Sequence, residues 1–295
     1  PSDYSTAVQA VGGTLGIIIP PSIVFVIYGS TNGVSISKLL MSGMLPGILT
    51  AVVLCLYGYV VAKKENFPKS FDQFSLKRVL KSLKGAVWAL MMPLIILGGI
   101  YGGIFTPTES AMIACAYGLV VSFFVTKELT VKNFFDVVSK TAASTANVTV
   151  MFLAAQVFGF LIAYYDITTT IANFFVAVSP NWIIFMGLVF ILLTITGMFM
   201  EVGATNVILS PLLAPVAAAF GIDPIHFGMV FVFLLALGQA TPPFGSTMFI
   251  ACGISGERVA AVIRRLLPFV LVEYACALVF AYVPWFSTFL PSLMA

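Results

Sequence analysis

A polar patch that breaks helices, residues 238–247, lies inside a long apolar region and constrains the fold more than any other stretch. Residues 225–237 before it are almost wholly apolar, and the apolar pattern resumes at residues 248–252. The patch contains Pro242 and Pro243 side by side. Proline lacks a backbone N–H and clashes with the preceding turn, so neither residue fits a helix interior. In hydrocarbon the carbonyls that lose their partners need new ones, so such a break is tolerated only against protein or a water-filled cavity.

The break has a second copy near the start of the chain. Residues 13–22 contain Pro20 and Pro21 in equally apolar surroundings. Adding 222 to the residue number superposes four residues that disturb helices: Gly16 on Gly238, Pro20 on Pro242, Pro21 on Pro243 and Pro46 on Pro268. In a chain with 24 Gly and 16 Pro, four such matches indicate a duplicated unit of break, half-helix, loop and Pro-containing span. Paired interruptions of this kind point to a transport site built from two discontinuous helices.

The composition predicts an all-α polytopic membrane protein. Hydrophobic residues make up 60% of the chain and charged residues 8%, whereas a soluble domain carries about 25% charged residues. The four cysteines lie in apolar segments without C-x-x-C spacing, which predicts reduced core residues rather than disulfides or metal ligands. The chain has one histidine, no Ser/His/Asp set, no phosphate loop and no carboxylate pair in an apolar span. An enzyme is therefore not predicted, and no cofactor or transition metal is expected.

The apolar segments divide the chain into four predicted regions. Residues 1–35 end a first transport core with its discontinuous helix, residues 36–180 supply scaffold spans, residues 181–256 form a second core, and residues 257–295 add a scaffold span. The predicted elements are a half-helix at 23–28, a loop at 29–37, spans at 39–62, 85–105, 106–125 and 141–164, and interfacial helices at 76–84 and 166–179. A re-entrant hairpin is expected at 182–195 and 207–220, with a polar interruption at 197–205. Because the first copy has so little sequence before its break, we expect its upstream part to precede Pro1.

The distribution of basic residues predicts the orientation. Residues 63–84 hold seven of the fourteen Lys and Arg residues, which marks a cytoplasmic segment. Counting crossings from there places residues 127–140 and the basic cluster 258–265 on the same face, and only Lys38 on the other. The count requires residues 182–220 to return the chain to the outer face. A re-entrant hairpin and a pair of full spans both do this, and the polar interruption at 197–205 favours the hairpin. The end of the chain at Ala295 is then predicted on the outer face.

Three carboxylates and the histidine need separate interpretations. Glu109 follows Thr106 by three residues with a proline between them, which predicts a capping box. Glu201 lies in the polar interruption and has two equally favoured interpretations, a functional group at membrane depth or the cap of the following helix. Glu273 has no cation three or four residues away, which favours a structural hydrogen bond to a neighbouring helix over ion transport. His226 is interpreted as interfacial and incidental.

The two breaks carry the predicted ligands. Carbonyls freed by Gly and Pro, together with Thr hydroxyls, are hard oxygen ligands without net charge, which suit a dehydrated Na⁺. Half-helix N-termini favour an anionic substrate. The predicted sodium ligands are Thr14, Gly16 and Ile19 in one set, and Gly197, Gly238, Thr241 and Phe244 in the other. The predicted substrate-binding residues are Ser22, Glu201, Thr205 and Pro243.

Three motifs resemble the large membrane subunit of tripartite ATP-independent periplasmic (TRAP) transporters. They are residues 13–22 (GTLGIIIPPS), residues 106–111 (TPTESA) and residues 238–245 (GQATPPFG). The resemblance implies two inverted repeats, each a re-entrant hairpin plus a discontinuous helix, in a Na⁺-driven elevator. It also implies a small membrane subunit, separate or fused upstream, and a periplasmic binding protein that delivers carboxylate-bearing substrates. One departure is Glu201, where the family usually has Asp.

We therefore predict a subunit of the bacterial inner membrane that imports an organic acid, such as a C4-dicarboxylate or sialic acid, together with Na⁺. Its C-terminus is predicted to be periplasmic, and no nucleic-acid partner is expected. One alternative is a stand-alone ion-coupled carboxylate symporter or antiporter of similar inverted-repeat fold. Alternatives from other classes are a membrane enzyme and a passive scaffold.

Overall fold

The computed structural model describes residues 2–67 and 75–294, and throughout these ranges the regular structure is helical. Lys69, one of the predicted cytoplasmic lysines, and Ala295 lie outside the described residues. The helices are α1 (Ser2–Ile18), α2 (Ile23–Asn32), α3 (Ile36–Lys64), α4 (Leu76–Tyr101), α5 (Pro107–Val120), a π-helical turn (Val121–Val125), α6 (Val131–Tyr164), α7 (Ile167–Val178), α8 (Trp182–Phe199), α9 (Val202–Ala219), α10 (Pro224–Gly238), α11 (Ser246–Ser255), α12 (Val259–Tyr282) and α13 (Trp285–Ser292).

Six helical segments of the described chain are long and apolar enough to cross a membrane. They are Ser2–Asn32, Ile36–Lys64, Leu76–Tyr101, Pro107–Val125, Trp182–Phe199 and Val202–Ala219. A seventh arises if α12 and α13, which meet at 64°, are counted as one span. The helices α10 and α11 are apolar but shorter. The predicted all-α polytopic membrane protein is confirmed, whereas the inversion of the repeats and the elevator motion stay predictions.

The chain forms two compact units, Pro1–Glu65 with Met151–Ala295, and Asn66–Val150. In the first unit, α10 lies at the centre and packs against α8, α9, α1, α12 and α3. It is buried continuously from His226 to Gly238. A helix that is apolar on all sides buries every face, which fits this central position. Its N-terminus is capped by Asp223, whose carboxylate accepts hydrogen bonds from the N–H groups of Ile225 and His226.

Both predicted breaks lie where the sequence places them. α1 ends at Ile18 and α2 begins at Ile23, while α10 ends at Gly238 and α11 begins at Ser246. Both Pro–Pro peptide bonds are cis. Each second half-helix has ten residues and ends at a left-handed glycine, Gly33 or Gly256. Pro46 and Pro268 lie inside the spans that follow, α3 and α12. The duplicated order of break, half-helix, loop and Pro-containing span is therefore present in the fold.

The second unit contains α4, α5 and the first part of α6. The predicted capping box is confirmed: Thr106 N–H donates to Glu109 Oε2 at 2.8 Å, and Glu109 N–H donates to Thr106 Oγ1 at 3.3 Å. The α4–α5 pair is tight, because a Cβ on Gly99 would lie 2.5 Å from the Phe105 ring and 3.0 Å from Ser110 Oγ. Glycine at this position allows the two helices to approach closely.

Four predicted boundaries are wrong. Residues 76–84 and 85–105 were expected as an interfacial helix and a separate span, but they belong to one helix, α4. The expected loop at 127–140 is helical from Val131 onward, and the one at 29–37 is helical up to Asn32 and again from Ile36. The interruption expected at 197–205 is limited to two residues, Met200 and Glu201, between α8 and α9.

Candidate functional site

The second break is organised around Gln239, the first residue after α10. Its side-chain amide donates to the carbonyl oxygens of Gly197 at 3.1 Å and Met200 at 2.9 Å, both at the end of α8. Its amide oxygen accepts a hydrogen bond from Ser246 Oγ at the start of α11. Its backbone carbonyl accepts from Thr247 N–H at 3.0 Å and from Thr247 Oγ1 at 2.7 Å. This single residue therefore contacts the turn between α8 and α9 at Met200 and Glu201, here called the hairpin tip, and it closes the break between α10 and α11.

Two glycines bring the hairpin tip and the break into backbone contact. A Cβ placed on Gly238 would lie 2.5 Å from the carbonyl carbon of Gly197, and one on Gly197 would lie 3.1 Å from Gly238 Cα. Both glycines are buried. No side chain fits between these backbones, so glycine is required here for close approach rather than for an unusual backbone angle. Two of the predicted sodium ligands are thus adjacent in space.

Thr241 lies one turn beyond Gly238 and is buried. Its hydroxyl donates to the Leu237 carbonyl at 2.8 Å and lies 3.1 Å from Tyr274 Oη. The Thr241 carbonyl accepts from Gly245 N–H at 3.1 Å. A hydroxyl or carbonyl oxygen that makes one hydrogen bond keeps a second lone pair. The remaining residues of this set are more open: Phe244 is 61% exposed and packs against the Phe199 ring, and Pro243 is also exposed.

The first break is closed by the same kind of hydrogen bond as the second. Ser22 Oγ donates to the Ile17 carbonyl at 2.5 Å, and Ser22 caps α2. Ile17 superposes on Gln239 under the shift of 222 residues, and Gln239 is the residue whose carbonyl accepts from Thr247 Oγ1. In each copy, therefore, a hydroxyl at the start of the second half-helix donates a hydrogen bond to a carbonyl at the end of the first half-helix.

The remaining predicted residues of the first copy differ in burial. Thr14 is fully buried, with its hydroxyl oxygen 2.7 Å from the Val11 carbonyl oxygen and 2.6 Å from Glu273 Oε1. Glu273 is also fully buried in α12, so the expected structural hydrogen bond to a neighbouring helix is present. Gly16 is exposed, and a Cβ there would meet no atom within 4 Å. Ile19 is half-buried against α3, where its side chain lies close to Gly47.

Glu201 is the cap of α9. Its carboxylate accepts from Ala204 N–H at 2.8 Å, and its carbonyl accepts from the buried Thr205 hydroxyl at 2.9 Å. The side chain is exposed, so of the two interpretations the capping one is present in the structure. Capping leaves other carboxylate lone pairs free, so Glu201 stays a candidate for substrate contact.

The two copies meet in the first unit. α1 packs against α10, α11 and α12, and a Cβ on Gly13 would lie 3.5 Å from the Thr247 side chain. α2 packs against α9, where Asn206 Nδ2 donates to the Val24 carbonyl at 3.0 Å. The structure thus places the hairpin tip beside the second break. It also places α9, one arm of the hairpin, beside α2, the half-helix that follows the first break.

Sequence reasoning missed three residues and misread a fourth. Gln239, Asn206 and Tyr274 connect elements that are distant in the chain, and their polar character inside apolar or broken segments was the available signal. His226 was interpreted as interfacial and incidental, but it is buried and contacts Ser287 Oγ at 2.7 Å and the Ala281 carbonyl at 3.1 Å. It ties the start of α10 to the end of α12 and to α13.

One known family matches nearly the whole length of this chain. The family model described as "Tripartite ATP-independent periplasmic transporter, DctM component" matches residues 1–286. The chain belongs to this family. The resemblance drawn from the three motifs is therefore confirmed. Its relatives are named as permeases, in agreement with the prediction that this DctM-family chain is not an enzyme.

Three relatives show how much of a DctM-family protein the chain represents. The isethionate TRAP transporter permease protein DctMQ of Oleidesulfovibrio alaskensis is 40% identical over 281 residues, which cover 95% of this chain and 44% of the relative. The sialic acid TRAP transporter permease protein SiaT of Haemophilus influenzae is 33% identical, over 99% of this chain and 47% of its own length. The C4-dicarboxylate TRAP transporter large permease protein DctM of Vibrio cholerae is 35% identical, with 99% and 69% covered. The chain spans about half the length of the first two.

Proposed function

We propose that this chain carries residues of the transport site in a Na⁺-coupled importer of organic acids. The observation that supports the proposal most directly is the pair of broken helices, each closed by a hydroxyl-to-carbonyl hydrogen bond, with the α8–α9 tip against the second break. Irregular backbone at membrane depth is tolerated where it is buried in protein or lines a water-filled cavity. Discontinuous helices of this kind form the substrate and ion sites of secondary transporters.

The proposed ion ligands are neutral oxygens. Gly197, Gly238 and Thr241 lie together at the second break, and Phe244 lies at its exposed edge. Among the described residues, no group of three or more His, Cys, Asp or Glu side chains could hold a metal ion. Hard, uncharged oxygen ligands suit an alkali cation rather than a transition metal. Thr14, Gly16 and Ile19, which lie at the first break, are proposed to contribute to a separate ion site.

The proposed substrate is an organic anion. The N-terminus of α2 is capped by the neutral Ser22, and the positive end of a helix dipole favours an anionic group, whereas the N-terminus of α9 already carries the Glu201 carboxylate. The named substrates of the three relatives, isethionate, sialic acid and C4-dicarboxylates, are organic anions. Ser22, Glu201, Thr205 and Pro243 are the proposed substrate contacts. As partners we propose a small membrane subunit and a periplasmic binding protein, in a bacterial inner membrane.

Uptake by the full-length protein in proteoliposomes tests the proposal. The small subunit is included, and uptake of radiolabelled sialic acid, C4-dicarboxylate and isethionate is measured with an inward Na⁺ gradient, with and without a binding protein from the same operon. We expect uptake of one of these acids only when Na⁺ and the binding protein are both present. Na⁺-dependent uptake without the binding protein would favour the stand-alone carboxylate carrier instead. Uptake that is independent of Na⁺ would contradict the coupling.

A further inference from the structure

The side-chain amide of Gln239 is buried, and the contacts of its two ends differ. One end faces the Gly197 and Met200 carbonyls, which can only accept hydrogen bonds, so this end must be the NH₂ group. The other end faces the Ser246 hydroxyl, which can donate to the amide oxygen. The amide therefore contacts α8 through its NH₂ group and α11 through its oxygen.

The two carbonyls that Gln239 contacts lie at the C-terminal end of α8. The last four carbonyls of a helix have no partner within the helix, so they depend on groups from elsewhere. The close approach of the Gly197 and Gly238 backbones brings the Gln239 side chain within reach of both carbonyls. Loss of the amide donors would leave the buried Gly197 carbonyl and the partly buried Met200 carbonyl without these partners, which is unfavourable.

The first copy of the repeat cannot make the same contact. Ile17 superposes on Gln239 under the shift of 222 residues, and its side chain has no hydrogen-bonding group. The hydroxyl-to-carbonyl bond is common to both breaks, but the amide contact belongs to the second break alone. A broken helix can therefore be closed without this contact.

We propose that Gln239 is a positioning residue that holds the α8–α9 tip against the α10–α11 break, so that the oxygen ligands of these two segments form one ion site of fixed geometry. This inference rests on the proposed Na⁺-coupled function. It assigns no ion or substrate contact to Gln239 itself. It implies that the tip and the break move together and that the tip does not open as a separate gate.

Two variants separate the functions of the amide. Gln239→Met keeps a similar volume and removes every side-chain hydrogen bond. Gln239→Glu keeps an acceptor for Ser246 but replaces the NH₂ donors that contact the α8 carbonyls. Gln9→Leu, at an exposed position of α1, is the matched control because it removes an amide outside the junction.

The experiment uses the full-length protein with its small subunit in lipid nanodiscs and proteoliposomes. Hydrogen–deuterium exchange is followed in peptides that cover residues 196–206, with α3 as internal reference, and the Na⁺ concentration for half-maximal uptake is measured in parallel. In both Gln239 variants we expect exchange in residues 196–206 to accelerate by about tenfold or more, since a locally stabilising hydrogen-bond pair is lost. The Na⁺ requirement should rise by about the same factor, while Gln9→Leu changes neither.

Each outcome has a defined meaning. Normal exchange in residues 196–206 of folded Gln239→Glu protein would overturn the proposal, whatever happens to uptake. Accelerated exchange with an unchanged Na⁺ requirement would also overturn it, because the amide would then be only structural. If Gln239→Met fails to fold, the Glu variant decides. If the unaltered protein shows no Na⁺ dependence, the proposed function fails, while the exchange data still report whether Gln239 holds the tip.

Discussion

Thr241 shows how a single hydroxyl can serve both the fold and the proposed ion site. Its proton is directed to the Leu237 carbonyl and its oxygen lies near Tyr274 Oη, which leaves lone-pair capacity at the break. Thr241→Val removes the oxygen at nearly constant shape. A lost interaction with a charged partner is worth about 1.5–3 kcal/mol, or roughly ten- to hundred-fold in affinity. We expect the Na⁺ concentration for half-maximal uptake to rise by at least the lower factor, and Thr241→Ser to restore most of the loss.

The control for this prediction is Tyr274→Phe. It removes the hydroxyl that contacts Thr241 and leaves the Thr241 oxygen in place. If Tyr274→Phe and Thr241→Val raise the Na⁺ requirement equally, the hydroxyl pair supports the fold and Thr241 is not an ion ligand. Uptake by Thr241→Val with an unchanged Na⁺ dependence would lead to the same conclusion.

Glu273 provides a second test at the scale of one residue. It is fully buried, and its contact with Thr14 joins α12 to α1. Glu273→Ala would leave a cavity in this packed interface, at a cost of about 2–4 kcal/mol by comparison with other large-to-small core changes. Glu273→Gln keeps the volume and an acceptor for Thr14. We expect a clearly lower thermal unfolding midpoint for the Ala variant and a nearly unchanged one for Gln, measured on purified protein in lipid nanodiscs.

An exposed carboxylate serves as the comparison for Glu273. Glu128 lies before α6 on the surface, and Glu128→Ala should leave the unfolding midpoint within experimental error. A Glu273→Ala protein as stable as Glu128→Ala would show that the Thr14 contact contributes nothing to the α1–α12 interface.

Individual residues also show the limit of sequence reasoning. Thr14, Gly238 and Thr241 could be selected because a break in an apolar segment is a local pattern. Gln239 and Asn206 could not be assigned roles, because their partners are distant in the chain: Gly197 and Met200 for Gln239, and Val24 for Asn206. Such contacts depend on which helices pack together, and hydrophobic periodicity carries no information on that.

At the scale of the element, the contact between hairpin tip and break makes glycine essential. Gly238→Ala would place a methyl group 2.5 Å from the backbone of Gly197, and backbone atoms cannot yield as the end of a flexible side chain can. We expect the tip and the break to be forced apart, with uptake reduced at least about tenfold and the unfolding midpoint lowered, since overpacking a core costs about 1–3 kcal/mol.

Gly253→Ala in α11 is the matched variant for this prediction. A Cβ there would meet no atom within 4 Å, and alanine is the better helix former by about 0.5–1 kcal/mol. The Gly253 variant should be as active as the unaltered protein and slightly more stable. Equal behaviour of the two variants in uptake and unfolding would contradict a tight contact at Gly238.

The elements that were predicted well are those with local chemical causes. Adjacent prolines disrupt a helix, and the Thr106 capping box marks the start of one. Both signals can therefore be recognised in the sequence without knowledge of tertiary contacts. The start of α6 was misassigned because charged residues suggested a loop. Lys140 and Asp136 instead pair at 2.7 Å one helical turn apart on an exposed face. Charge density alone does not separate a solvated helix from a loop.

At the scale of the whole molecule, the orientation in the membrane stays a prediction with a direct test. Residues 63–84 are predicted to face the cytoplasm from their excess of basic residues. Ser82 and Thr108 are both exposed, one near the start of α4 and one just past the turn that follows it. In intact cells that express a cysteine-free protein, a membrane-impermeant thiol reagent should label Thr108→Cys and not Ser82→Cys.

Permeabilised cells complete the topology test, since both cysteines should then react. Efficient labelling of Ser82→Cys in intact cells, with Thr108→Cys protected, would reverse the orientation. It would also place the basic cluster 258–265 outside, because that cluster is predicted on the same face as residues 63–84.

The burial of α10 has a consequence for how the protein is made. At 15 residues the helix is about 22 Å long, too short to cross about 30 Å of hydrocarbon, and it is surrounded by protein from His226 to Gly238. Two of the helices that enclose it, α12 and α13, follow it in the chain, and His226 depends on Ser287 and Ala281 for its polar contacts. During synthesis α10 therefore emerges before its surroundings are complete. The long spans can insert into the membrane one after another, but the packing around α10 in the first unit is completed only when α12 and α13 have been synthesised.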